Sequence, residues 1–222
     1  MAILFAIATT GCSETSRGES PQLTNGATAH PPAGEAVTVF LNYFGLEGRA
    51  VEGELVGCIR DGIRRAHPEL RVVPPDEFRR LAFPDLAPEA APRSPQYLGM
   101  LLDSAAFRER IAPLNLHYLI AISGETRVKQ TGGAVAGTAP APGGAFLVGG
   151  WIWNRDTRLV ASILDLKVTG APAEMGATAQ GTAWLVLIEG LPLGAPAFTE
   201  GRACAELGDK VARYLVEPRP ER

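Results

Sequence analysis

The sequence predicts an α/β (α+β) fold, a mixed sheet of about six strands flanked by helices in the order β-α-β-α-α-β-β-β-β-α. Three observations lead there. Apolar residues recur about every fourth position in stretches near both ends of the chain. Short β-branched and aromatic runs alternate with helical stretches through the first half. The second half strings strand-like segments together at hairpin spacing. The first strands, joined through helices, should be parallel or mixed, and the later, consecutive ones form an antiparallel meander.

Ala36 to Phe44 reads as the first strand, with Val37, Val39, Leu41 and Tyr43 on one face. After the turn GLEGR, Val51 to Ala66 is helical, since Val51, Leu55, Ile59 and Ile63 fall one turn apart with Cys58 beside them. His67-Pro68 stops it, because the residue before proline avoids the α region. Leu70 to Val73 is a short strand, and Pro75-Asp-Glu-Phe opens a brief helix with proline and acids in its first turn. A proline-rich loop then leads to a helix over Gln96 to Arg110. Leu116 to Gly124 is nearly continuous apolar sequence, as expected of a central strand covered on both faces. Gly132 to Gly144 reads as a small-residue loop, followed by strands at Ala145 to Arg155, Arg158 to Val168 and Glu174 to Ile188. In the last, Ala177, Ala179, Gly181 and Ala183 share a close-packed face, and Thr178, Gln180 and Thr182 share a wet one. Thr199 N-caps a closing helix, about Phe198 to Val216, whose stripe is Cys204, Leu207, Val211 and Tyr214-Leu215. Pro218 ends it.

The 222 residues, less a leader and tether, leave roughly 185 for one domain with a full core. An apolar fraction of 46% and a charged fraction of 20% are ordinary for a globular chain. A net charge of −3 without any basic block gives nucleic acid nothing to bind.

The N-terminus concerns location. MAILFAIATTGC is too short an apolar run to span a bilayer and suits the h-region of a secretory signal. Thr9-Thr10-Gly11-Cys12 resembles the lipobox of bacterial lipoproteins, with threonine where the family usually has leucine. That resemblance implies a signal peptide over residues 1–12 and an acyl chain (diacylglycerol and palmitate) on Cys12. Ser13 after the cysteine favours the periplasmic face of the outer membrane. No positive charge precedes Cys12, so a start upstream of Met1 is expected. Residues 13–34 read as a disordered tether and 35–218 as a single domain.

With Cys12 acylated, Cys58 and Cys204 are an even pair of thiols. A disulfide between them and two buried free thiols are both open from the sequence.

Few residue constellations carry chemistry. His30 lies in the tether, His67 at a helix end, and His117 on the central strand, where it reads as a hydrogen-bonded core residue. No histidines stand at ligand spacing, and neither CxxC nor HExxH occurs, so no metal or cofactor is expected. Ser123, His117 and Asp165 form a nominal Ser/His/Asp set. The nucleophile elbow G-x-S-x-G is missing, because Ala121 and Glu125 stand where glycines should. Gly45-Leu-Glu-Gly48 lacks both phosphate-loop patterns. Trp151 and Trp153 share a strand face with Arg155 next in line. Buried they are core, and exposed they are a partner-contact patch.

The segments TVFLNYFGLEGRAVEGELVGCIRDGI, LRVVPPDEF, LHYLIAISGETR and TRLVASILDLKVTG resemble bacterial envelope lipoproteins. The similarity is to the α/β domains of the curli-secretion lipoprotein, the TolB N-terminal domain and the lipoprotein activators of penicillin-binding proteins. It implies a non-catalytic protein-binding or envelope-assembly module with an envelope protein partner. The alternative is a small envelope serine hydrolase using Ser123. A subunit of an export channel is disfavoured, because no long amphipathic alternating hairpin suggests a membrane barrel.

Overall fold

The computed structural model describes residues 34–44, 49–87, 90–141, 144–167, 171–188 and 191–215. The leader, Cys12, the tether before Gly34, His30 and the Gly45–Gly48 turn therefore lie outside the described residues. A six-stranded mixed sheet runs β2-β1-β3-β4-β5-β6. Its strands are β1 (Ala36–Phe44), β2 (Arg71–Val73), β3 (Leu116–Ala141), β4 (Gly144–Asp165), β5 (Ala173–Ile188) and β6 (Leu191–Ala195). β1 pairs parallel with β2 and β3, and every pairing from β3 onward is antiparallel. The helices are α1 (Arg49–Ala66), α2 (Pro75–Ala82), α3 (Pro95–Leu101), α4 (Ala105–Ile111) and α5 (Thr199–Tyr214). The α/β architecture is the expected one.

Alternation along β1 divides the core in two. Val37, Val39 and Leu41 pack with Leu55, Ile59 and Ile63 of α1 and with Leu207 and Val211 of α5. Ala36 and Phe40 face the other way, toward Phe78 of α2, Leu98 of α3 and Phe107 of α4. Tyr43, expected on the first face, is 64% exposed because β1 has by then run past the helices.

Several local expectations are corrected. The helix over Gln96–Arg110 is two helices: Ser104 takes an extended backbone (φ −80°, ψ 122°), as serine favours at helix starts rather than interiors. The loop over Gly132–Gly144 is strand: β3 and β4 stay in register out to Ala141 opposite Gly144, with shifts near Gln130 and Ala136. The two strands on either side of Asp156-Thr157 are one, β4, because Thr157 is fully buried and hydrogen-bonded rather than turning. β6 was missing from the expectation, so the total of six was reached with different strands. Phe198, at φ 44°, occupies the cap position of α5, and Thr199 is its first helical residue.

The structure bridges Cys58 to Cys204 across α1 and α5, with Cα atoms 6.3 Å apart. The two stripes meet because both helices lie on one face of the sheet.

Candidate functional site

Two places in the fold carry unusual chemistry. The first lies where β1 and β3 begin. The Glu35 carboxylate hydrogen-bonds His117 Nδ1, and Asp165 Oδ1 stands 3.5 Å from Nε2 on the other side of the ring. Lys167 pairs with the second Glu35 oxygen, and its backbone N–H donates to Asp165 Oδ1 at 2.8 Å. Glu35 and His117 are buried, so this is a charged clamp in the core, tying the first residues of the domain to β3 and β4. Asp165 Oδ2 is buried without a hydrogen-bond partner.

The structure brings together His117 and Asp165 of the nominal Ser/His/Asp set but not Ser123. Six residues of extended strand separate Ser123 from His117, on the order of 20 Å. The Ser123 hydroxyl instead accepts from Asn42 Nδ2 at 3.1 Å. Both ring nitrogens of His117 already face carboxylates, which leaves none for a nucleophile. Among the described residues no group of three or more His, Cys, Asp or Glu side chains is disposed to hold a metal ion. His67 is also structural, its Nε2 lying 3.2 Å from the Ala212 carbonyl oxygen near the end of α5.

The second place is the far end of the sheet. α5 starts there, and three contacts mark the limit of its cover. Thr157 donates to Thr199 at 2.8 Å, Arg155 pairs with Glu200 at 2.8 Å, and an Arg202 Nη donates to the Gln180 and Ala197 carbonyls. β4 nevertheless continues from Asn154 back to Gly144, on the order of 30 Å of extended chain. β5 runs on to Ile188, where β6 joins it.

Beyond Lys129, which pairs with Asn154, this projecting portion holds no charge on β3, β4, β5 or β6. No Asp, Glu, Lys, Arg or His occurs from Thr131 to Asn154, from Met175 to Ile188, or from Gly190 to Thr199. On the face away from α5, Ile152 lies directly opposite Trp184, and they are 45% and 44% exposed. Val186 pairs with Leu193, and Leu191 and Leu193 are exposed beside them. Contiguous apolar surface of this kind marks interaction sites on soluble chains. Trp151 and Trp153 lie on the opposite face with Arg155, as their alternation requires, and both are half-buried. The Trp151 indole lies across Gly133, where a Cβ would come within 2.9 Å of its ring. Arg155 is held by Glu200 rather than free for a partner.

A cavity of about 260 Å³ opens between the segment after α2 and helices α3 and α4, lined by Phe83, Leu86, Tyr97, Phe107 and Arg110. It contains none of the residues singled out by the sequence.

No family model matches the chain, and no curated protein matches it. Solved structures resemble it only distantly. A PelC dodecamer from Paraburkholderia phytofirmans is 10% identical, with 91% of this chain and 99% of that one covered and a TM-score of 0.39. A neuraminyllactose-binding hemagglutinin homolog from Helicobacter pylori is 8% identical, over 87% and 89% of the two chains, with a TM-score of 0.38. The hypothetical protein CT253 from Chlamydia trachomatis is 11% identical, over 82% and 97%, with a TM-score of 0.35. At such identities and scores the likeness carries nothing about binding.

Sequence reasoning stopped at Trp151, Trp153 and Arg155 and missed Ile152, Trp184, Leu191 and Leu193. The signal that points to them is the 24-residue charge-free stretch from Thr131 to Asn154, which glycine and alanine disguise as a loop.

Proposed function

We propose that this chain is a non-catalytic binding or assembly module, held at the bacterial envelope by an acyl chain on Cys12. The observation that carries the reading is the sheet end that projects beyond the helices, free of charge and exposing Ile152, Trp184, Leu191 and Leu193. An isolated soluble domain gains nothing from exposing large apolar side chains side by side, whereas a contact surface is made of them. Two further features support it. The Cys58–Cys204 bridge suits an oxidising compartment outside the cytosol. The domain also starts at the opposite end from the projection: the Gly34 carbonyl accepts from Asn115 Nδ2 at 2.8 Å, beside the start of β3. A tether departing there leaves the projecting strands free of its attachment point.

Metabolic labelling with palmitate tests the anchor: incorporation is expected in the native chain and lost in Cys12→Ala. Photo-crosslinking in intact cells from position 184, against position 76 on the exposed flank of α2, tests the surface. Adducts are expected from the first and not the second. An activated serine probe is expected to leave the chain unlabelled, and labelling abolished by Ser123→Ala would replace this reading with a hydrolase.

A further inference from the structure

We propose that the partner of the projecting sheet is a second copy of this chain, added head to tail, with β6 of one copy extending the sheet along the free edge of β3 of the next. This rests on the reading of that sheet end as the contact surface and names its occupant.

The argument starts from edges. β1 covers β3 only as far as Gly124. Beyond that point, among the described residues, β3 has β4 on one side and no strand on the other. β6 is the last strand of the sheet and has only β5 beside it. The projection is therefore a four-stranded sheet with two open edges. Natural sheets blunt such edges with charge, especially lysine. Glu125, Arg127 and Lys129 charge the first part of the β3 edge, but from Thr131 onward that edge and the whole of β6 lie in charge-free sequence, and Pro192 withholds one donor on β6.

The two edges match in height and direction. Leu191–Ala195 of β6 registers with Trp184–Ile188 of β5, which registers with Val148–Ile152 of β4, which lies opposite Gly132–Ala136 of β3. Both open edges are thus available at the same level of the sheet. Because β3 to β6 alternate in direction and number four, β6 runs antiparallel to β3. A neighbouring copy can then present its β3 to this β6 in antiparallel pairing while pointing the same way. Every copy would then emit its Gly34 end on the same side, which is compatible with tethering to a single membrane. Pairing β6 with β6 about a two-fold axis would reverse one copy and leave both β3 edges open. At the level of β6, Gly132–Ala136 of β3 and Leu191–Ala195 of β6 carry no charge that a copy would repel. A lipid surface is the competing occupant, but an open sheet does not enter hydrocarbon with unpaired edges.

The test uses the full chain carrying Cys12→Ser, with the Cys58–Cys204 bridge intact. Ala134→Cys and Leu193→Cys are made separately, because residues 134 and 193 stand level across the sheet. Under mild oxidation each alone is expected to stay single-chain, a mixture of the two to give dimers, and the double variant to give a ladder. Light scattering is expected to give multiples of the single-chain mass, reduced to one chain by Leu193→Glu without a change in melting temperature. Dimers from Leu193→Cys alone would overturn the head-to-tail arrangement. So would a single-chain mass at all concentrations, or flotation of the monomer with phosphatidylethanolamine–phosphatidylglycerol vesicles. If the purified chain is monomeric while position 184 still crosslinks to a different protein in cells, self-assembly fails and the binding-module reading stands.

Discussion

Gly62 of α1 and Gly208 of α5 face each other where the two helices cross. A Cβ on Gly62 would lie 3.2 Å from the Gly208 backbone, whereas a Cβ on Gly208 would meet nothing nearer than 3.7 Å. The crossing is close on one side only. Gly62→Leu therefore forces the helices apart and is expected to cost about 1–3 kcal/mol, the usual range for overpacking. Gly208→Ala makes ordinary contacts and removes backbone freedom from a helix interior, for an expected gain of about 0.5–1 kcal/mol. Urea denaturation of both variants checks the opposite signs.

Removing Glu35 from the clamp around His117 is expected to be more damaging than removing Lys167. Glu35 and His117 are both buried, and taking one partner from a buried pair costs about 3–5 kcal/mol. Lys167 is half exposed, and its pair with Glu35 is screened by water. Glu35→Ala should lower the unfolding midpoint strongly and Lys167→Ala only slightly. Equal effects would mean that the clamp contributes through packing alone.

Much of the proximal half of this fold was legible because its periodicities are clean. The β1 run has the bounds expected of it, Ala36–Phe44, and α1 adds two residues to its predicted start. The distal half was less legible because glycine and alanine carry little hydrophobic pattern. Past Gly124, Thr126 and Val128 alternate with Glu125, Arg127 and Lys129, a strand signal that continues β3 but fades into the glycines after Thr131. The β4 strand was cut at Asp156-Thr157, although that dipeptide holds neither glycine nor proline. The bridge needed the fold itself, since only packing on a common face sets two cysteines 146 residues apart at bonding distance. Of the site, Trp151 and Trp153 were legible as a same-face pair, but Trp184 acquires meaning only from its register with Ile152.

A chain of three hydroxyls joins the sheet to α5. Thr126 and Thr157 lie 2.9 Å apart across β3 and β4, and Thr157 donates to Thr199 at 2.8 Å. Thr157 and Thr199 are fully buried, so neither has water to fall back on. Thr157→Val removes the middle hydroxyl, which strips the buried Thr126 hydroxyl of its partner and leaves Thr199 with only its bond to Glu200 Oε2, at an expected cost of about 1–3 kcal/mol. Thr157→Ser keeps the oxygen and should recover most of that loss. Thermal melts of the two variants against the native chain decide it.

The Cys58–Cys204 bridge closes a span of 146 residues, most of the domain. Chain entropy assigns such a loop roughly 5 kcal/mol, and native small domains that lose a bridge commonly forfeit about 2–5 kcal/mol. The double variant Cys58→Ser/Cys204→Ser should therefore melt roughly 6–12 °C below the native chain, taking about 3 kcal/mol as the loss. Reductant should lower the native melting temperature toward that of the double variant and leave the variant itself unmoved. The single variants separate bridge from packing, because Cys204 is buried against α1 while Cys58 is only partly covered. If the bridge dominates, Cys58→Ala and Cys204→Ala lose nearly the same amount. A much larger loss at Cys204 would assign the stability to burial of its side chain instead.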